Sequence, residues 1–387
     1  MKKLKNSYLS YFLMINFYYL SWAMFSALIS VYLMGLGFKA SEVSLVVSAS
    51  FLASMLTQTF IGNMCNKYEA KKVNAVLMII ASIGSIIFML CKSLISIMIV
   101  YSIVLLALNG INPIIEKLAT ASPFQYGKIR IWGTWGYATG TYIAGFLYSK
   151  VSPSSIFVVF VFMALLCVIG TLLTEPNLQV EEKQENIQQN TGITSLFKNK
   201  KYIYYLFICA LFYAVTNMGN TYIPTMLTNK GLETSVASTI LSLAVFCETP
   251  LVLLSSKFMD KTSNKVLLLI ATTGVLIQCA IYGLNLPLPL AIIATLAAKH
   301  PMGMLYIMIN LKVINTIFDE SNQITALAFV ATLKNLVSIV FQNVAGNILD
   351  VTTYANLYLI CTAMMLVCTI LVVCYKIEPG TDQKIFE

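Results

Sequence analysis

Gly62-Asn-Met-Cys-Asn-Lys-Tyr-Glu-Ala-Lys-Lys72 is a short basic loop between two apolar stretches, and a loop of similar make-up, Ser256-Lys-Phe-Met-Asp-Lys-Thr-Ser-Asn-Lys265, recurs in the other half of the chain. Each follows the second long apolar stretch of its half. A second echo supports the first: Ala144-Gly-Phe-Leu-Tyr148 closes one apolar stretch as Ala345-Gly-Asn-Ile-Leu349 closes another. Equivalent landmarks at equivalent places predict two six-helix repeats running in the same sense. Working outward, and allowing roughly 20 residues to cross a bilayer, twelve spans fall approximately at 8–34, 41–63, 73–91, 94–120, 127–149, 155–174, 201–227, 234–258, 265–284, 287–313, 323–349 and 353–375. The expected organisation is an N-terminal bundle over 1–174, a linker over 175–200, a C-terminal bundle over 201–376 and a tail over 377–387. The linker contains Glu181-Glu-Lys-Gln-Glu-Asn-Ile-Gln-Gln-Asn190, too polar to bury.

With 58% apolar residues, 11% charged residues and a mean hydropathy of +0.80, the composition is that of a multi-spanning membrane protein rather than a soluble globule. The first apolar run has the length of a full span and no clear small-residue cleavage site, so it is expected to remain as helix one. The net charge of +9 does not imply nucleic acid, because the lysines fall in short loops at span ends. Placing Lys2, Lys3, Lys5, Lys67, Lys71, Lys72, Lys198, Lys200, Lys201, Lys257, Lys261 and Lys265 on the inner side leaves few basic residues outside. That bias predicts two cytoplasmic termini in the cytoplasmic membrane. The nine cysteines are scattered without ligand spacing, and neither metal nor cofactor is expected.

Tyr126-Gly-Lys-Ile-Arg-Ile-Trp-Gly-Thr-Trp-Gly-Tyr137 holds the one arginine among the 25 basic residues. An ionised group within a span is a functional-site candidate. At about 100° per residue, Arg130, Thr134, Tyr137 and Thr141 fall within roughly 60° of one another, a polar stripe. Gly133, Gly136 and Gly140 form an adjacent strip suited to close helix packing. In span four, Asn109, Asn112, Glu116 and Thr120 share a face, with Pro113 among them. Glu116 is the expected counter-charge of Arg130. The alternatives are an arginine that snorkels to the headgroups and a glutamate paired with Lys117 or Lys128. Trp22, Tyr19, Asn16 and Ser26 are candidate lining residues from span one, and ordinary helix packing accounts for them equally well.

The chain resembles the major facilitator superfamily. The loop 62–72 is similar to that superfamily's Gly-x-x-x-Asp-Lys-x-Gly-x-Lys/Arg signature, with Asn66 for the aspartate and Glu69 for the second glycine, while the second copy keeps Asp260 and Lys261. The Tyr126–Tyr137 segment resembles span five of the oligosaccharide/proton symporters, the lactose permease-like family, and the resemblance runs through most of the chain. It implies an all-α membrane protein of twelve transmembrane helices in two six-helix bundles, with Arg130 matching a sugar-binding arginine and Tyr137 a sugar-stacking aromatic. Asn112 matches the family's key acid in span four, and Glu116 a second acid one turn later. Trp132, after the arginine, is closer to relatives that carry aromatic acids or nucleosides.

The second half departs from the family pattern. The resemblance implies coupling groups in spans eight to ten. Here Glu248 lies about one turn beyond the matching acid, Gln278 replaces an arginine, Lys299 or His300 matches a histidine, and Met302 replaces the proton-accepting glutamate. Coupling is then expected to use Glu248 with His300, or to be absent. A carboxyl within a low-dielectric span is suited to carrying a proton, and histidine is a natural switch; the alternative for His300, beside Pro301, is that it satisfies backbone carbonyls freed at the kink of span ten. The alternative for Glu248 is a constant pair with Lys334 of span eleven. The family's lysine there pairs with span-seven aspartates, which read Asn217 and Asn220 here, so Lys334 needs a new partner or a solute group.

These readings converge on secondary transport, proton-coupled uptake of a di- or oligosaccharide by alternating access, with Arg130, Thr134, Tyr137, Asn112, Glu116, Trp22 and Lys334 binding solute and Glu248 and His300 coupling the proton. The alternatives are a nucleoside or aromatic-acid symporter, an uncoupled facilitator and a non-transporting sensor. No enzyme is expected, since no nucleophile and base pair is evident. The expected partners are a small hydrophilic solute, a proton and the lipid bilayer, without nucleic acid, for a chain acting as a monomer.

Overall fold

A computed structural model describes residues 5–175, 196–381 and 385. The polar stretch expected as a linker lies mostly outside them. The described residues are helical, and no strand occurs among them. Twelve long segments follow one another: α1 (Tyr8–Gly35), α2 (Ala40–Lys67), α3 (Ala70–Leu90), α4 (Leu94–Thr120), α5 (Tyr126–Lys150), α6 (Ser155–Leu173), α7 (Lys200–Asn229), α8 (Thr234–Leu253), α9 (Asn264–Gly283), α10 (Leu288–Ile317), α11 (Glu320–Val351) and α12 (Tyr354–Cys374). Ten are long and apolar enough to cross a membrane. The other two are α2, rich in Ser, Thr, Asn and Gln, and α5, with its glycines, threonines, Lys128 and Arg130. The chain is a multi-pass membrane protein.

Small polar residues start several of these helices. Ser7, Ser93, Ser263 and Thr353 accept from the backbone N–H three residues on, at the starts of α1, α4, α9 and α12. Apolar side chains left outside repeat at helical spacing, as in Val76, Ile79, Ile83, Ile87 and Leu90 of α3. Such a face is stable only against lipid.

By internal contacts the chain forms two compact units, Met1–Asn186 with Leu227–Ser242, and Ile187–Met226 with Leu243–Glu387. In the first unit an aromatic core gathers Phe25, Phe88, Tyr101, Phe157 and Phe160, with Phe25 stacked 5.4 Å from Tyr101 and Phe88 5.0 Å from Phe157. The glycine strip of α5 meets α1: side chains at Gly136 and Gly140 would run into the backbones of Asn16 and Leu20. The stretch 227–242 is held to α5 by Lys150 Nζ on Glu233 Oε1 at 2.7 Å and by Ser235 N–H donating to Ser149 Oγ at 3.0 Å.

The second unit has its own polar frame. Tyr205 donates to Asn310 Oδ1, and Asn310 Nδ2 donates to Tyr213 Oη at 2.6 Å. Buried Lys312 donates to the carbonyls of Met259 and Thr262, fixing the loop that carries Asp260.

One device occurs in both units. In the first, Lys5 before α1 pairs with Glu175 after α6, and Asn74 Nδ2 at the start of α3 donates to Thr171 Oγ1 near the end of α6, 2.6 Å. In the second, Lys201 at the start of α7 pairs with Glu378 after α12 at 2.8 Å, and Asn264 at the start of α9 receives the tail, its N–H donating to Pro379 O at 2.8 Å. The same kind of tie, a lysine–glutamate pair with a buried asparagine, thus occurs in each unit.

Candidate functional site

Arg130, one turn into α5, places Nε 2.8 Å from Glu116 Oε1 near the end of α4. Two tyrosines complete the carboxylate's shell: Tyr19 Oη donates to Oε1 at 2.8 Å and Tyr126 Oη to Oε2 at 2.6 Å. The guanidinium lies over the Tyr19 ring, 4.6 Å from its centroid, a cation–π geometry. Asn112 Nδ2 donates to Tyr19 Oη at 3.3 Å. Trp22 flanks the same tyrosine, with ring centroids 6.0 Å apart. Arginine and glutamate are 33% and 27% exposed, so the pair is neither sealed in the core nor a surface bridge.

Local structure explains the assembly. A side chain at Gly133 would strike Arg130 Nη1 at 2.6 Å and the Tyr19 ring at 2.8 Å, so the missing side chain makes room for both. Pro113 has no N–H for the carbonyl of Asn109. One residue earlier, the carbonyl of Leu108 accepts from Tyr18 Oη at 2.8 Å, and Asn109 turns its amide to Ser54 Oγ at 2.8 Å.

The structure therefore brings together Arg130, Glu116, Asn112 and Trp22, with Tyr19 at the centre. Of the pairings expected for Glu116, the one with Arg130 is present. The predicted stripe divides along its length. Tyr137 packs against the apolar core of this unit, Thr141 is buried and donates to the Tyr137 carbonyl of its own helix, and Thr134 is half-buried. Tyr126 was missed in its role; its spacing of four from Arg130 was the available signal. Trp132 turns its indole N–H to Tyr8 Oη and its carbonyl to Asn16.

In the second unit two broken helices meet. Helix α8 is regular to Phe246, opens at Cys247 and Glu248, and resumes at Thr249, because Pro250 cannot donate to the carbonyl four residues back. Helix α10 is α-helical over Leu288–Ala294, makes a π turn over Thr295–Lys299 and resumes at Pro301, a departure common at functional sites. Glu248 Oε2 lies 3.9 Å from His300 Nδ1, both side chains 19% exposed. Lys299 Nζ is 3.0 Å from His300 Nε2. A charged lysine can only donate; with Lys299 charged and His300 neutral, Nε2 accepts and Nδ1, on the side of the carboxylate, carries the hydrogen.

Lys299 also lines a cavity of about 10 Å³ with Thr216, Asn220, Gln278 and Tyr282, room for about one water. Gln278 Nε2 donates to Tyr282 Oη at 3.0 Å, and that hydroxyl is 2.6 Å from Thr295 Oγ1 in the π turn. Met302 packs against Gly274 of α9. Lys334 does not reach Glu248; its ammonium faces the Tyr213 ring, 5.3 Å from the centroid.

The sequence profile of the Major Facilitator Superfamily matches residues 11–311, and the chain belongs to that family. It is 25% identical over 238 residues to a Bacillus subtilis (strain 168) protein named "Uncharacterized transporter YwbF", covering 61% of this chain and 58% of that one. It is 23% identical over 205 residues to the sucrose permease of Escherichia coli, 49% of each chain. The matched stretches thus span about half the length of these relatives. Among solved structures, the nucleoside transporter NupG superposes with a TM-score of 0.81 at 18% identity over 95% of this chain and 98% of that one. A D-xylose-proton symporter gives 0.70 at 14% identity over 97% and 98%.

Proposed function

We propose that the chain is a secondary transporter that takes up a di- or oligosaccharide with a proton by alternating access, in the cytoplasmic membrane with both termini inside. The observation that carries the solute assignment is the Arg130–Glu116–Tyr19 cluster. A guanidinium presents its N–H donors in a fixed fork that suits neighbouring hydroxyls, and the half-buried Trp22 ring beside the cluster suits the C–H face of a sugar. The similarity to a sucrose permease supports the same solute class. Glu248, His300 and Lys299 carry the coupling in this reading. A proton arriving on the imidazole or carboxylate changes the charge balance where α8 and α10 are interrupted, and broken helices are where transporters commonly hold ions.

A nucleoside is the second reading, favoured by the half-buried Trp22 ring beside the cluster, which suits stacking on a base, and by the fold shared with a nucleoside transporter. The test is solute-induced proton movement in de-energised cells making the protein, with sucrose, a trisaccharide and uridine added in turn. Alkalinisation of the medium by one solute, abolished by an uncoupler, is the expected result. Entry without alkalinisation makes the chain a facilitator. Binding without entry makes it a sensor.

A further inference from the structure

The transport reading leaves one charge unexplained. Lys334 sits within α11, on the face that also carries Ser338 and Gln342, both fully buried against α7. Among the described residues it pairs with no carboxylate. Glu248 lies against His300 instead, and α7 offers Asn217, whose amide donates to Ser338 Oγ at 2.6 Å. Ser338 in turn donates to the carbonyl of Lys334 at 2.6 Å, and Thr221 Oγ1 to Gln342 Oε1 at 3.0 Å. These neutral groups hydrogen-bond to one another or to backbone, with Gln342 Nε2 left without a partner among the described residues. What it meets is the face of Tyr213, 5.3 Å away, whose hydroxyl is taken by Asn310.

An ammonium has three N–H donors and one full charge. A ring face at this distance replaces neither the lost water nor a counter-ion. The other basic side chains placed within the spans of this unit are provided for: Lys299 by His300 Nε2 and Lys312 by two carbonyls.

We propose that Lys334 is the receptor for a single carboxylate on the transported solute, which makes the substrate class an acidic saccharide or acidic nucleoside rather than a neutral one. The charge count selects the carboxylate. One fixed positive charge balances a monoanion such as a carboxylate, whereas a phosphate monoester carries a charge of about −1.5 to −2 near pH 7. This rests on the transport reading above and narrows it.

The test uses full-length protein in proteoliposomes and two matched pairs, cellobiose with cellobiouronate and uridine with uridine 5′-carboxylate. Binding is followed by ligand-dependent thermal stabilisation and uptake under an imposed proton gradient. In the pair that fits, the acid should bind the wild type about tenfold or more tightly than its neutral partner, the factor expected of one charge-assisted contact. Lys334→Gln should remove that difference while still binding the neutral solute, and Lys334→Arg should keep it. Equal or better binding of the neutral partner, an acid preference that survives Lys334→Gln, or no stabilisation by any of the four overturns the inference. Binding of the acid without uptake instead overturns the transport reading and leaves the receptor standing.

Discussion

At the scale of single residues, the polar cluster of the first unit depends on an atom that is absent. Gly133 leaves the space in which the Arg130 guanidinium lies on Tyr19. Gly133→Ala should displace one or both and lower solute affinity roughly tenfold, since ångström-scale misplacement of a binding group is enough for that, with little loss of folded protein by size-exclusion chromatography. Arg130 and Glu116 were legible in the sequence because a charge within a span needs a reason. Tyr19 was legible only as a candidate, because a tyrosine in an aromatic-rich helix has no spacing that separates a site from a core. Lys334 was legible as a cation within a span because the resemblance matches its expected partners to Asn217 and Asn220.

At the scale of elements, helix count followed from apolar length, while the breaks were only partly readable. Pro250 and Pro301 mark where α8 and α10 must be interrupted, but the π turn over Thr295–Lys299 has no compositional sign. Lys299 and His300, which the resemblance left as alternatives for one role, stand at its end. Both lie at this break, Lys299 Nζ 3.0 Å from His300 Nε2 and His300 Nδ1 3.9 Å from Glu248 Oε2. The strip on α5 was readable because glycines at positions 133, 136 and 140 keep one face small. Gly136→Val should wedge α5 away from the Asn16 backbone. Overpacking of this kind costs about 1–3 kcal/mol, to be seen as a lower unfolding temperature of the purified protein, with Gly127→Val, which meets nothing nearby, as the control.

At the scale of the molecule, the same fastening closes each set of six helices, and it has a pH signature. The Lys5 ammonium, by hydrogen bond and then by charge, holds the Glu175 carboxyl below the ordinary carboxylate range, and Lys201 does the same for Glu378. A carboxyl depressed on folding contributes stability that is present above its unfolded value, about 4.3, and is lost as pH falls through the folded one. The double variant Glu175→Gln, Glu378→Gln should therefore lose less thermal stability than the wild type between pH 7 and pH 3, by a small amount because both pairs are exposed. The fastening has another implication, for the covalent chain itself. If Lys5 and Glu175 tie the start of one half to its finish, and Lys201 and Glu378 do so for the other, the peptide bonds between Glu175 and Leu196 are not what keeps either half together. A gene cut there and expressed as two polypeptides should still yield uptake, and neither fragment alone should.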